Sequence, residues 1–165
     1  MVPVSMNASA AVAGAFLLFA APPQKPPLDF SGVWVLDEKA SRGVSRNMHG
    51  AVFRVEQSGD HIRIFPGGSG GKLLGEEIVA DGRPYAKVLG PERGVVTAAW
   101  SKDGGSLWLE VTAGTPAEPR AAIQRSVWKL SPDRRTWIRQ SVSMQGSERR
   151  EAHLVFRRRE KAAVT

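Results

Sequence analysis

The side chains able to do chemistry in this chain are few and scattered. His49, His61 and His153 are its three histidines, and none stands at His-x-His or His-x-x-x-His spacing, so no local ligand pair for a metal exists. There is no cysteine, which removes disulfides, thiolate nucleophiles, iron–sulfur clusters and cysteine zinc sites together. Asp37–Glu38 and Glu76–Glu77 are adjacent carboxylates; neighbours on a strand point to opposite faces, so neither pair shares a site for acid–base work. "GGSGG" at 67–71 partly matches a nucleophile elbow, but its flanks read as loop rather than strand and helix. "PGGSGGK" at 66–72 lacks the Gly-Lys-Ser/Thr ending and the following helix of a phosphate loop. No catalytic residue, metal site or cofactor is expected.

Binding is better served. Along Arg120–Leu130, Gln124 and Ser126 share a strand face with Ala122, Trp128 and Leu130. If Trp128 points into a core, both polar residues point inward with it, and a few polar groups in an apolar pocket fix a ligand's orientation. The opposite parity puts Ala121, Ile123 and Val127 inside and leaves Gln124 and Ser126 in water. Tyr85 and Arg139 complete the set of candidate ligand-binding residues. Trp108 and Trp137, and more firmly Trp100 and Trp128, read as core or barrel-end residues.

The elements that position these groups follow from length and alternation. At 165 residues and 42% hydrophobic content the chain suits one core. From Phe30 onward no stretch holds a helical period. Short alternating runs instead succeed one another at 32–36, 51–57, 61–65, 77–80, 85–89, 95–101, 106–112, 120–130, 137–144 and 149–158. Turn-forming stretches separate them: "SGD", "DGRP", "GPERG", "KDGG", "SPDRR" and "QGS". The expected fold is all-β, a single antiparallel up-and-down β-barrel of about eight to ten strands, because closure removes the two exposed edges of such a meander. The first strand opens "DFSGVWVLD". Gly32 lets the chain approach its neighbour closely, and Trp34 is large enough to plug the narrow end of a small barrel. An arginine of the last strand, in "FRRRE" at 156–160, is expected to stack over that indole, with Arg157 named as the residue that closes the barrel.

"DFSGVWVLDEKAS", "DGRPY", "AAWSKDGGSLWLEV" and "SVWKLSPDRRTW" occur in that order. Together they resemble a group of small bacterial exported lipocalin-like (calycin-type) proteins of uncharacterised role. Two departures stand out: there is no Thr-Asp-Tyr element in a later loop, and Arg134 stands where that group usually has glycine after "SPD". The resemblance implies the barrel and a lumen, not an activity.

Ahead of the strands, Ala10–Ala21 is an apolar block followed by "PPQKPP". As a helix it would rise only ~18 Å, short of a ~30 Å hydrocarbon layer. It therefore reads as a signal peptide over 1–20 cut after Ala20, although Met1–Ser9 lacks the usual basic residue and Met6 is an alternative start. A proline-rich spacer over 21–29, the barrel over 30–159 and a tail over 160–165 complete the division. The expected location is secreted or periplasmic, and with no cysteine there is no lipoprotein anchor. Net charge is +7, and from Arg120 to Lys161 twelve Lys or Arg face four acids. That excess would attract polyanions or lipid head groups, though no nucleic-acid stacking motif is present. Two functions follow as expectations. One is a barrel holding a small apolar or amphipathic ligand; the other is an interaction module of the cell envelope whose basic surface contacts anionic polymer or lipid. Neither nucleic acid nor a transmembrane span is expected.

Overall fold

A computed structural model describes residues 28–67, 76–89 and 92–160. The leader, most of the spacer, the glycine-rich stretch beyond Gly67 and the tail beyond Glu160 lie outside the described residues. The alternating runs become ten strands: β1 (Gly32–Leu36), β2 (Val52–Ser58), β3 (His61–Gly67), β4 (Glu76–Val79), β5 (Asp81–Leu89), β6 (Glu92–Trp100), β7 (Leu107–Gly114), β8 (Pro119–Leu130), β9 (Thr136–Gln145) and β10 (Glu148–Arg158). The helical piece among the described residues is a single 3₁₀ turn, Arg46–Met48. No helix among them is long and apolar enough to cross a membrane.

The strands form one antiparallel sheet in the order β4-β3-β2-β1-β10-β9-β8-β7-β6-β5. Its long-range join is β1 with β10, where Trp34 lies opposite Arg158 and Leu36 opposite Phe156. That pairing wraps the meander into a nearly closed barrel. One seam remains: β4 and β5 are joined through Ala80, but no ladder runs between them. The seam is bridged by the Lys87 ammonium, which donates to Glu76 Oε1. "DGRP" is not a free turn. It forms the start of β5, where the register shifts between Asp81 and Pro84 and Gly82 takes the positive φ (+80°) that such a bulge needs.

Strand alternation packs one end of the barrel with aromatic rings. Phe30, Trp34, Trp128, Trp137 and Phe156 are fully buried. Trp137 sits at the hub, its ring centroid 4.8 Å from Phe156, 4.9 Å from Trp128, 5.8 Å from Phe30 and 5.9 Å from Trp34. Pairs at such separations add about 0.5–1.5 kcal/mol each beyond the area they bury. The indole N–H of Trp34 donates to the Phe30 carbonyl at 2.8 Å.

The glycine two residues ahead of Trp34 now has a cause. Gly32 has φ +139°, and a Cβ there would lie 2.7 Å from Nη1 of Arg158. Its bareness admits a guanidinium, which sits 4.4 Å over the Trp34 ring and donates to the carbonyls of Ser31 (2.6 Å) and Arg134 (2.9 Å). The arginine over the indole is therefore Arg158, not Arg157. The register decides it: Arg157 pairs with Val35 on the outer face and donates to Asp37 Oδ2 (3.0 Å) and Thr136 Oγ1 (2.9 Å). Those bonds hold the Asp37 carboxyl below its ordinary value, the contact with Arg157 contributing most. Arg158→Ala is expected to lower unfolding stability by about 2–3 kcal/mol, through a lost cation–π contact and two bereft carbonyls. Arg157→Ala, which breaks only surface contacts, should leave the urea midpoint almost unchanged; the reverse order would return the closing role to Arg157.

Arg134 is the one non-glycine among the described residues with positive φ (+57°). Glycine would enter this left-handed region without the steric cost that a side chain carries there.

Candidate functional site

Cross-strand pairing fixes which side chains face the lumen, because directly opposed residues share a face. Trp128 and Ser126 on β8 are both buried, and Gln124 follows them inward two residues further along. Opposite them on β9 stand Arg139, Ser141 and Ser143, paired with Trp128, Ser126 and Gln124 respectively. The inner wall thus changes character with height: indoles below, hydroxyls and an amide above, and the guanidinium of Arg139 at the boundary.

Arg139 lies 5.3 Å over the Trp128 ring. Its Nε is buried and has no hydrogen-bond partner, and burial holds the group below the usual arginine pKa, although a guanidinium stays protonated at any physiological pH. A buried donor without an acceptor costs about 1–3 kcal/mol, and more when charged. Trp128 Nε1 and Trp137 Nε1 are likewise buried and unpartnered. All three orphans are donors, and they occupy adjoining positions: Trp128 opposite Arg139, and Trp137 two residues before it. What this region lacks is an acceptor.

A second cation enters from the seam. Lys87 is pushed below the ordinary lysine pKa by burial first and then by the charge of Arg139, so the two cations feel each other across the interior. Glu76 meets Lys87, leaving two positive groups to one carboxylate. The excess charge beside the indole floor is therefore positive.

Of the residues singled out from sequence, Gln124, Ser126 and Arg139 come together on β8 and β9. Tyr85, on β5, shares their face through the cross-strand row Tyr85–Val96–Val111–Gln124, three strands round from Gln124. It is 39% exposed and donates to Asp81 Oδ2 at 2.6 Å. That bond lowers the Asp81 pKa and raises that of the phenol. Sequence reasoning passed over Ser141, Ser143, Lys87 and Glu76. The two serines were reachable by stepping two residues at a time from Trp137; the other two depend on the seam, which alternation does not reveal.

Trp108, expected in the core, is 56% exposed. Its neighbours Leu107 and Leu109 are the buried pair, and alternation turns the indole outward. Trp100 is part-buried, stacks on Phe30 at 6.3 Å and donates to Asp60 Oδ1. The histidines stay apart: His49 meets Glu38, His61 meets Glu77, and His153 lies on the outer face near Gln140. No three metal-binding side chains converge among the described residues. Much of the C-terminal positive charge is locally neutralised, by the pairs Arg125–Glu110, Arg135–Glu160, Arg149–Glu151, Arg150–Glu148 and Arg157–Asp37.

No family model and no curated protein matches the sequence. Among solved structures, the zebrafish ileal bile acid-binding protein complexed with cholic acid is similar at a TM-score of 0.52 and 11% identity, over 79% of this chain and 98% of that one. The fold is calycin-like. A secretory abundant heat soluble protein from Ramazzottius varieornatus is similar at a TM-score of 0.48 and 9% identity, over 79% and 95% of the two chains. In this calycin-like barrel, at such identities, the likeness speaks for the path of the chain alone. The inner wall of this chain has to be judged on its own residues.

Proposed function

We propose that the protein is a non-catalytic container for a small amphipathic molecule, held in the barrel with an anionic group against Arg139. The observation that carries this reading is the unpartnered Nε of Arg139, with two unpartnered indole donors beside it, at the top of an aromatic floor. A carboxylate, sulfonate or phosphate would satisfy these donors through charge-assisted hydrogen bonds, Lys87 would add field from the seam, and the apolar part of the ligand would lie against Val96 and Val111, which continue the row of Gln124. Ser126, Ser141, Gln124 and Ser143 are placed to orient it. That the zebrafish structure holds cholic acid, a carboxylate on an apolar body, agrees with this reading. With residues 1–20 taken as a leader, the container works outside the cytoplasm.

The test is binding of anilinonaphthalene sulfonate, an anionic fluorescent amphiphile, followed by competition. Saturable binding is expected, with displacement by cholate and medium-chain carboxylic acids and about tenfold weaker displacement by alcohols of the same carbon skeleton. Absence of saturable binding, or equal competition by acids and alcohols, would overturn the proposal.

A further inference from the structure

An open groove of about 850 Å³ lies on the outside of the barrel, across β6 to β10. Most of its lining side chains belong to the outer face, and Ser126 and Ser141, whose neighbours on either side point outward, also border it. Its floor follows two outward-facing rows of the sheet, one running from Ala99 through Trp108 and Val127 to Gln140 and His153, the next from Thr97 through Glu110 and Arg125 to Val142 and Glu151. Arg42, bridged to His153, closes one side.

The dominant apolar feature is the exposed indole of Trp108. Its N–H is already donated to Ser106 Oγ at 3.0 Å, so what it offers a partner is a flat, electron-rich face. Val127 and Val142 extend that face. The polar groups around it are planar amide, imidazole, carboxylate and guanidinium, each able to meet a hydroxyl.

Three features narrow the occupant. The groove lies over β7, β8, β9 and β10, all paired on both sides; their backbone groups are committed to ladders, so an extended peptide cannot add to them as a strand. Both carboxylates of the groove are already paired, Glu110 with Arg125 at 2.7 Å and Glu151 with Arg149 at 2.6 Å, which leaves Arg42, among the described residues, as a single cation in excess. A polycation is therefore repelled and a polyanion meets one uncompensated charge only, and an acyl chain would meet ionised walls. A neutral, polyhydroxylated chain with one flat C–H face per unit fits what remains. We infer that the outer groove is a binding site for a neutral oligosaccharide, one sugar ring stacking on Trp108 and its neighbours hydrogen-bonding to Gln140, Arg42 and Glu110.

The inference is independent of the lumen reading. Isothermal titration of the whole protein against cellotetraose, chitotetraose and maltotetraose is expected to give saturable binding to at least one. Trp108→Ala should weaken that binding at least tenfold and Gln140→Ala severalfold, while both variants keep the parent's far-ultraviolet circular dichroism and cooperative urea unfolding, showing that they are folded. No binding to any of the three at millimolar concentration overturns the inference, as does sugar affinity unchanged in Trp108→Ala. Dimerisation in sedimentation that Trp108→Ala abolishes would also overturn it, by making the face a contact between copies of this chain.

Discussion

Replacing Trp137 by alanine lowers the unfolding free energy by about 3–5 kcal/mol, the range for deleting a large aromatic side chain from a packed core. Trp137 touches four other rings, so the void opens at the centre of the floor. Since whole domains are stable by only about 5–15 kcal/mol, the variant should be largely unfolded in mild urea. Trp137→Phe separates packing from hydrogen bonding. The indole N–H has no acceptor, so phenylalanine gives up no bond and should cost only about 1–2 kcal/mol of lost volume. Trp34→Phe should cost more, because it strips the Phe30 carbonyl of its donor. Urea melts of the three variants, followed by far-ultraviolet circular dichroism, check the order. A Trp137→Ala protein as stable as the parent would mean that the rings do not form the floor.

Arg139→Met is expected to separate stability from function. Methionine fills similar space without a buried, unpartnered charge, and replacement of buried ionic groups by apolar ones is often neutral or stabilising by about 1–4 kcal/mol. The urea midpoint should hold or rise. Affinity for the anionic amphiphile should fall about 30-fold or more, the lower end of what removing one partner of a buried charge pair costs, and discrimination between acids and alcohols should vanish. Arg139→Lys keeps the charge but loses the planar group that lies over Trp128, and an intermediate affinity follows. Unfolding curves and reporter titrations on the same preparations give both readouts. Undiminished acid binding in Arg139→Met would remove this residue from the site.

The order of strands was legible because each run alternates and each ends in residues that turn a chain, and ten runs became ten strands. Trp34 was legible too, since a large ring on the first strand of a meander has one obvious place to go. What sequence left undecided was register. Arg157 and Arg158 are equivalent until the first and last strands pair, and that pairing joins residues more than a hundred positions apart. Trp108 went astray for a related reason: in "SLWLEV" the leucines and the tryptophan compete for the inside, and the strand can bury only one set. The leucines took it. Within the candidate site, Gln124 and Ser126 were singled out because they share a strand face with Trp128, while Arg139 was named without a spacing argument and takes its place from the β8–β9 register. Lys87 and Glu76 were not named, because their meeting depends on two strands that face each other without bonding.

That unbonded boundary sets how the wall behaves mechanically. Everywhere else, widening the cylinder would shear rows of backbone hydrogen bonds together. Between β4 and β5 no ladder stands in the way: the boundary is held by side chains, the Glu76–Lys87 pair and the Trp100 indole bonded to Asp60, with Ala80 as the pivot. The molecule is a collar with a clasp rather than a sealed pipe, and its bore can adjust to what it encloses while every ladder stays intact.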